Sequence, residues 1–146
     1  MQELYTEIEI NAAPEKVWKI LMDFPSYGEW NPFVTSIVGE QKVGEKLEVE
    51  LTQPGSKPMT MKPTVRNVAP NSEFRWLGHT GIPRIFDGEH IFQIEPMEES
   101  RVRFIQREKF RGILVPFLKK MLETTTKEGF KKMNRALKER AEKLPV

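Results

Sequence analysis

The hydrophobic period of this chain changes once, and the place where it changes limits what the chain can fold into. Between Phe33 and Phe110 apolar residues recur at every second position, in short runs separated by turn residues. From Gly112 onward they recur every 3.6 residues. The first pattern places alternate side chains on opposite faces of a strand, and the second places a stripe along one side of a helix. Strands are expected at 33–41, 46–53, 59–68, 72–79, 85–94 and 101–110. The turns between them fall at Val43-Gly44, Pro54–Ser56, Pro70-Asn71, Gly81–Pro83 and Pro96–Ser100. Ahead of this block, residues 4–10 alternate as a further strand, and Pro14 opens a short helix over about 14–22. PSYGEW, residues 25–30, reads as another short helix or turn, stopped by Asn31-Pro32.

The final helix is expected from about 113 to 143. Leu114, Phe117, Leu118, Met121, Leu122 and Thr125 form one stripe. Gly129, Phe130, Met133, Ala136 and Leu137 form a second that is rotated against the first, so a bend is expected near Lys127–Gly129. About seven strands joined by hairpins make a curved antiparallel meander. Only one helix is long enough to cover its concave side. The expectation is an α+β fold in one domain, residues 1–146, with the sheet wrapped around the C-terminal helix.

Several functions are disfavoured by what the sequence lacks. There are no cysteines and only two histidines, His79 and His90, so neither a disulfide framework nor a metal centre is expected. No glycine-rich phosphate loop follows a strand, and no nucleotide or other cofactor is expected. The N-terminal segment has no apolar run of the signal-peptide kind, and a soluble cytoplasmic protein is expected. Net charge is +2, but residues 111–146 hold ten Lys/Arg against four Asp/Glu. Basic residues are not interleaved with aromatics in an RNA-binding pattern, so nucleic acid is not an expected partner. Lys119, Lys120, Lys127, Lys131 and Lys132 suit either a solvated helix face or transient contact with an anionic membrane.

The order of elements, together with AAPEKVWKILMDFPSYGEWNPFV near the start and FDGEHIF and REKFRGIL later, resembles one superfamily over nearly the whole chain. It comprises START domains, the birch-pollen allergen and the polyketide cyclase/dehydrase-like bacterial proteins (SRPBCC). The resemblance implies the helix-grip fold, with a cavity between the concave sheet and the long helix. It leaves the chemistry open, because one fold hosts carriers, receptors and enzymes.

The segment FDGEHIFQI, residues 86–94, makes the cavity concrete. Its inward face carries Phe86, Gly88, His90, Phe92 and Ile94. An inward glycine fills nothing, and a buried histidine needs a partner. With Ile94 placed opposite Val102 on the last strand, Phe92 faces Phe104, His90 faces Gln106 and Gly88 faces Glu108. A histidine and a carboxylate in an aromatic wall can anchor a ligand or move a proton. The expected ligand-binding set is Trp30, Asn31, Trp76, Gly88, His90, Phe92, Phe104, Gln106, Glu108, Leu118, Met121 and Phe130. Trp30 and Asn31 are expected at the mouth. Met59, Met61, Met121 and Met133 suit an adaptable wall, and an inward Gly129 would make room for a ligand. The expected partner is a hydrophobic or aromatic small molecule or lipid, bound by a monomer or homodimer. One alternative is a cyclase/dehydratase in which His90 and Glu108 are the catalytic acid/base candidates. Another is a chaperone-accessory interaction module.

Overall fold

The structure, a computed structural model, describes residues 2–53, 55–79 and 84–143. The expected Gly81–Pro83 turn and Pro54 lie outside these residues. Strand β1 (Gln2–Ile10) is followed by helix α1 (Pro14–Leu21), a 3₁₀ turn (Phe24–Ser26) and helix α2 (Tyr27–Trp30). Then come β2 (Val34–Val38), β3 (Glu48–Leu51), β4 (Met59–Met61), β5 (Thr64–Ala69), β6 (Glu73–His79), β7 (Asp87–Met97) and β8 (Arg101–Arg111). The chain ends in α3 (Val115–Met121), a π-helical turn (Leu122–Thr126) and α4 (Lys127–Lys143).

Among the described residues eight strands form where about seven are expected, because the 59–68 run divides at Pro63. Proline cannot donate to a strand ladder, and here the chain passes from one sheet to the other. One sheet has the order β1-β8-β7-β6-β5 and the other β2-β3-β4. They are joined where Leu47 N donates to the Pro63 carbonyl and Val65 N to the Glu45 carbonyl, both at 2.8 Å. The result is the helix-grip architecture, with the sheets closed around α4.

The β7–β8 hairpin corrects the expected register. Ile94 pairs with Phe104, Phe92 with Gln106, His90 with Glu108 and Gly88 with Phe110, a shift of two residues. Pro96 stays in the strand opposite Val102, and the loop shrinks to Glu98–Ser100, with Glu99 and Ser100 in left-handed backbone (φ 59° and 55°). The β6 ladder ends at the Glu73–Gln93 pair, so Pro96 lies beyond the reach of a second neighbour and its missing N–H breaks no bond. Because the shift is even, every side chain keeps its face.

The change of stripe expected near Lys127–Gly129 falls earlier, at the π-turn Leu122–Thr126. One turn with an extra residue changes the phase of the buried stripe without ending the helix. It also corrects the stripe itself. Val115, Leu122, Thr126, Gly129, Phe130, Met133, Leu137 and Ala141 are buried, whereas Leu114, Phe117 and Met121 face solvent. Opposite the α4 stripe lie Phe74, Trp76, Phe92 and Phe104 from the sheet, each at most 1 % exposed.

Candidate functional site

Three strands place one residue each in a single row. Trp76 on β6 pairs with His90 on β7, and His90 pairs with Glu108 on β8. The neighbouring row is Gly78, Gly88 and Phe110. Two adjacent inward glycines leave a shallow trough in the sheet, and other side chains use it. A Cβ on Gly88 would stand 2.2 Å from Glu108 Oε2 and 3.2 Å from its Cδ. A Cβ on Gly78 would stand 2.5 Å from the Met61 methyl. The inward glycine of FDGEHIFQI is therefore the seat of the Glu108 carboxylate.

Above the trough lies a cavity of about 410 Å³. Phe33, Met61, Phe86, Phe110, Leu122 and Thr126 contribute to its walls, with Trp76, His90 and Glu108 at its floor. Its mouth lies between β4 and α3, where the lining residues Met59, Thr60, Lys62 and Met121 are exposed. Trp76 Nε1 is buried and has no protein acceptor among the described residues. Among the described residues the Glu108 side chain has one polar contact, to His90 Nδ1 at 3.4 Å. The carboxylate is thus an acceptor in a wall that is otherwise largely apolar.

His90 is 3 % exposed and stacks on Phe92, with ring centroids 4.3 Å apart at 17°. Its protonation follows from a polar chain behind the cavity. The Gln106 backbone carbonyl can only accept, so the Thr6 hydroxyl, 2.7 Å away, donates to it. Thr6 Oγ1 then accepts from Asn134 Nδ2 at 2.9 Å. That turns Asn134 Oδ1 toward Gln106 Nε2 at 2.8 Å, and the same amide nitrogen donates to the Phe130 carbonyl at 3.3 Å. Gln106 Oε1 is left facing His90 Nε2 at 2.9 Å. An amide oxygen cannot donate, so His90 Nε2 carries a proton. The other ring nitrogen, Nδ1, faces Glu108 Oε1 at 3.4 Å.

The structure divides the expected residues. Trp76, Gly88, His90, Glu108 and Met121 line the cavity, as do the anticipated methionines Met59 and Met61. Phe92, Phe104, Gln106 and Phe130 are buried and do not line it; Leu118 packs against the core and does not line it either. Their faces were legible, but the cavity occupies only one end of the grip. Trp30 and Asn31 are away from its mouth. Asn31 Oδ1 accepts from the backbone N of Phe33 and of Val34 at 3.0 and 2.9 Å, shaping the entry into β2. Trp30 lines a separate outer groove of about 840 Å³ with residues of α1, the β7–β8 turn and Arg140. That groove carries charges of both signs and is remote from the His90–Glu108 pair. Tyr27 donates to the Leu21 carbonyl, and burial holds its phenol far above the ordinary tyrosine value.

Gly129 makes no room for a ligand, because the Phe33 ring fills the space, and a Cβ there would meet it at 2.6 Å. Sequence reasoning also missed Phe33, Leu51, Gln53, Lys62 and Thr126 as lining residues. Leu51 could have been found from the Leu47, Val49, Leu51 alternation, but nothing local marks Phe33. Among the described residues no group of three or more His, Cys, Asp or Glu is placed to hold a metal. None of their helices is long and apolar enough to cross a membrane.

Solved structures share this architecture. A START superfamily protein from Mycobacterium smegmatis is similar, with a TM-score of 0.76 and 20% identity, covering 98% of this chain and 99% of that one. The Zhui aromatase/cyclase from Streptomyces sp. R1128 superposes with a TM-score of 0.78 at 14% identity, covering 97% and 93%. Norcoclaurine synthase from Thalictrum flavum, in complex with dopamine and hydroxybenzaldehyde, gives 0.76 at 13%, covering 99% and 88%. At these identities the likeness is one of fold. No curated protein matches the chain. The family described as "Polyketide cyclase / dehydrase and lipid transport" matches residues 1–142, and the chain belongs to that family.

Proposed function

We propose that this protein binds a hydrophobic or aromatic small molecule in the cavity between the sheet and the C-terminal helix. The observation that carries the reading is the glycine trough, where the Glu108 carboxylate stands at the floor of one mainly apolar space. A volume of about 410 Å³ falls within the range of small-molecule sites. Burial of apolar ligand surface, at roughly 25 cal/mol per Å², supplies the affinity. A ligand hydroxyl or amine donating to Glu108 fixes the orientation. The similarity to an aromatase/cyclase and to a synthase crystallised with aromatic compounds supports a ring-bearing ligand.

The test is native mass spectrometry of protein purified without detergent, followed by denaturing extraction of bound material. An adduct of defined mass that is lost in Gly88→Leu is the expected result. An adduct retained in that variant refutes the site.

The approach of His90 Nδ1 to Glu108 Oε1, 3.4 Å at the floor of the cavity, favours a second reading, acid/base catalysis of the cyclase/dehydratase kind. With Nε2 committed to Gln106, only the Nδ1 side can exchange a proton with a substrate through Glu108. On this reading Glu108→Gln abolishes turnover of a carbonyl substrate and leaves its binding largely intact. Retained turnover in that variant rules the role out.

A further inference from the structure

The mouth of the cavity is surrounded by exposed apolar side chains that no described element covers. Phe117 is 83 % exposed, Ile113 66 %, Met59 56 % and Met121 42 %. Phe117 and Met121 are four residues apart on α3, and Leu114 precedes Phe117 by three, so these side chains form one stripe. Met59 and Met121 also line the cavity, which makes the stripe continuous with its entrance. A contiguous exposed patch containing a phenylalanine marks an interaction site, whereas single exposed apolar residues do not.

The charges around the patch are mainly basic; Glu123, just past Met121, accepts from Gln2 Nε2. Residues 111–122 contain Arg111, Lys119 and Lys120 and no acid. Residues 55–62, which carry Met59, contain Lys57 and Lys62 and no acid. None of these five cations has an ion-pair partner among the described residues. Lysine is depleted from protein–protein interfaces, whereas lysine flanking phenylalanine and leucine characterises segments that lie in a lipid interface.

We infer that the tip formed by Ile113, Leu114, Phe117, Met121 and Met59 docks on an anionic lipid surface. The apolar side chains enter the acyl boundary, and Lys57, Lys62, Arg111, Lys119 and Lys120 meet the headgroups. The cavity mouth then faces the bilayer, so an apolar molecule can pass between membrane and cavity without crossing water. The docking surface stands independently of what the cavity holds.

Flotation of the full chain tests this, using neutral phosphatidylcholine vesicles and vesicles enriched in phosphatidylglycerol. The protein floats with the anionic vesicles, poorly with the neutral ones, and less at high salt. Phe117→Asp lowers partitioning by about tenfold or more, as expected for losing one inserted aromatic side chain. Lys119→Glu with Lys120→Glu lowers it by a similar or larger factor, since each lysine near an anionic surface contributes about a fivefold effect. Both changes are on exposed residues, and an unaltered circular dichroism melt verifies that the variants fold. Absence of flotation with anionic vesicles overturns the inference, as does undiminished flotation of Phe117→Asp. A stable dimer in size-exclusion chromatography that Phe117→Asp dissolves also overturns it, by assigning the patch to a second copy.

Discussion

Replacing Gln106 with leucine cuts the polar chain behind the cavity at its centre. Gln106 is fully buried and does not line the cavity, so the change acts on the wall from behind. Leucine neither donates nor accepts. His90 Nε2–H loses its acceptor at 2.9 Å, and Asn134 Oδ1 loses its donor at 2.8 Å. Each buried group left unpaired costs roughly 1–3 kcal/mol, about 2–6 kcal/mol for the two. The added apolar contact of leucine returns at most about 2 kcal/mol. Taken from the middle of that range, about 4 kcal/mol, the net loss is about 2–4 kcal/mol, which for a domain of this size lowers the thermal midpoint by roughly 5–15 °C.

The sharper consequence concerns the ring. In the wild-type protein His90 carries a proton on Nε2 whether the ring is neutral or charged. In Gln106→Leu nothing holds that proton, while Nδ1 still faces Glu108, so the neutral ring moves its proton to Nδ1. Long-range ¹⁵N–¹H correlation spectra of the imidazole distinguish the two tautomers directly. A neutral His90 protonated on Nδ1 in the wild-type protein refutes the reasoning, since the amide orientations that force Nε2–H would then be wrong. An unchanged melting temperature in the variant refutes the energetics.

Gly88→Ala places a Cβ against the Glu108 carboxylate, which is the mobile end of its side chain, so the acid swings away at little cost to the fold. The melting temperature is expected to stay within a few degrees, while affinity for a neutral hydrophobic dye such as Nile red falls, measured by fluorescence titration. Gly112→Ala meets backbone instead, 2.3 Å from the Ile85 carbonyl oxygen and at φ +131°. That change should cost about 2 kcal/mol or more in urea unfolding, with the slope unchanged. Burial raises the Glu73 pKa, but hydrogen bonds from Arg75, Asn67 and Gln93 and the Arg75 charge outweigh it and hold the group below its ordinary value of 4.5. A lowered folded-state value contributes stability that is full above 4.5 and is lost as pH falls through the folded value. Glu73→Gln should therefore melt earlier than wild type at neutral pH, with the gap closing on acidification below 4.5.

Period and turn residues were enough to place the elements, because each strand has one buried face and the last helix one buried stripe. They could not say which strands change sheets. Pro63 signalled a break in the ladder, but the exchange between sheets depends on the distant backbone of residues 45–47. The Trp76, His90 and Glu108 faces were legible from alternation, and an even register error left them intact. What alternation cannot give is depth along the grip. Phe92 and Phe130 read the same as Trp76, yet Phe33 enters over Gly129 and closes the core above them. The polar chain was half visible: Gln106 pointed inward in the pattern, whereas Thr6 and Asn134 looked like ordinary positions of a strand and a helix. Phe117 was placed in the buried stripe because the sequence carries no mark for an extra residue in a π-turn.

Strand β1 pairs along its whole length with β8, from Gln2 opposite Phe110 to Ile10 opposite Val102. It is synthesised first and can pair only when nearly the entire sheet has left the ribosome. The β5–β6 and β7–β8 hairpins have short loops and close early, whereas β1 must bridge about a hundred residues, the kind of separation that slows folding. During that wait β1 is an unpaired strand, and an unpaired strand is a template for association with other chains. Its outward positions carry Glu3, Glu7 and Glu9. A row of like charges opposes stacking of one waiting strand on another, and it meets compensating Arg103 and Arg107 only when β8 arrives. The same glutamates thus discourage the wrong partner early and receive the right one late.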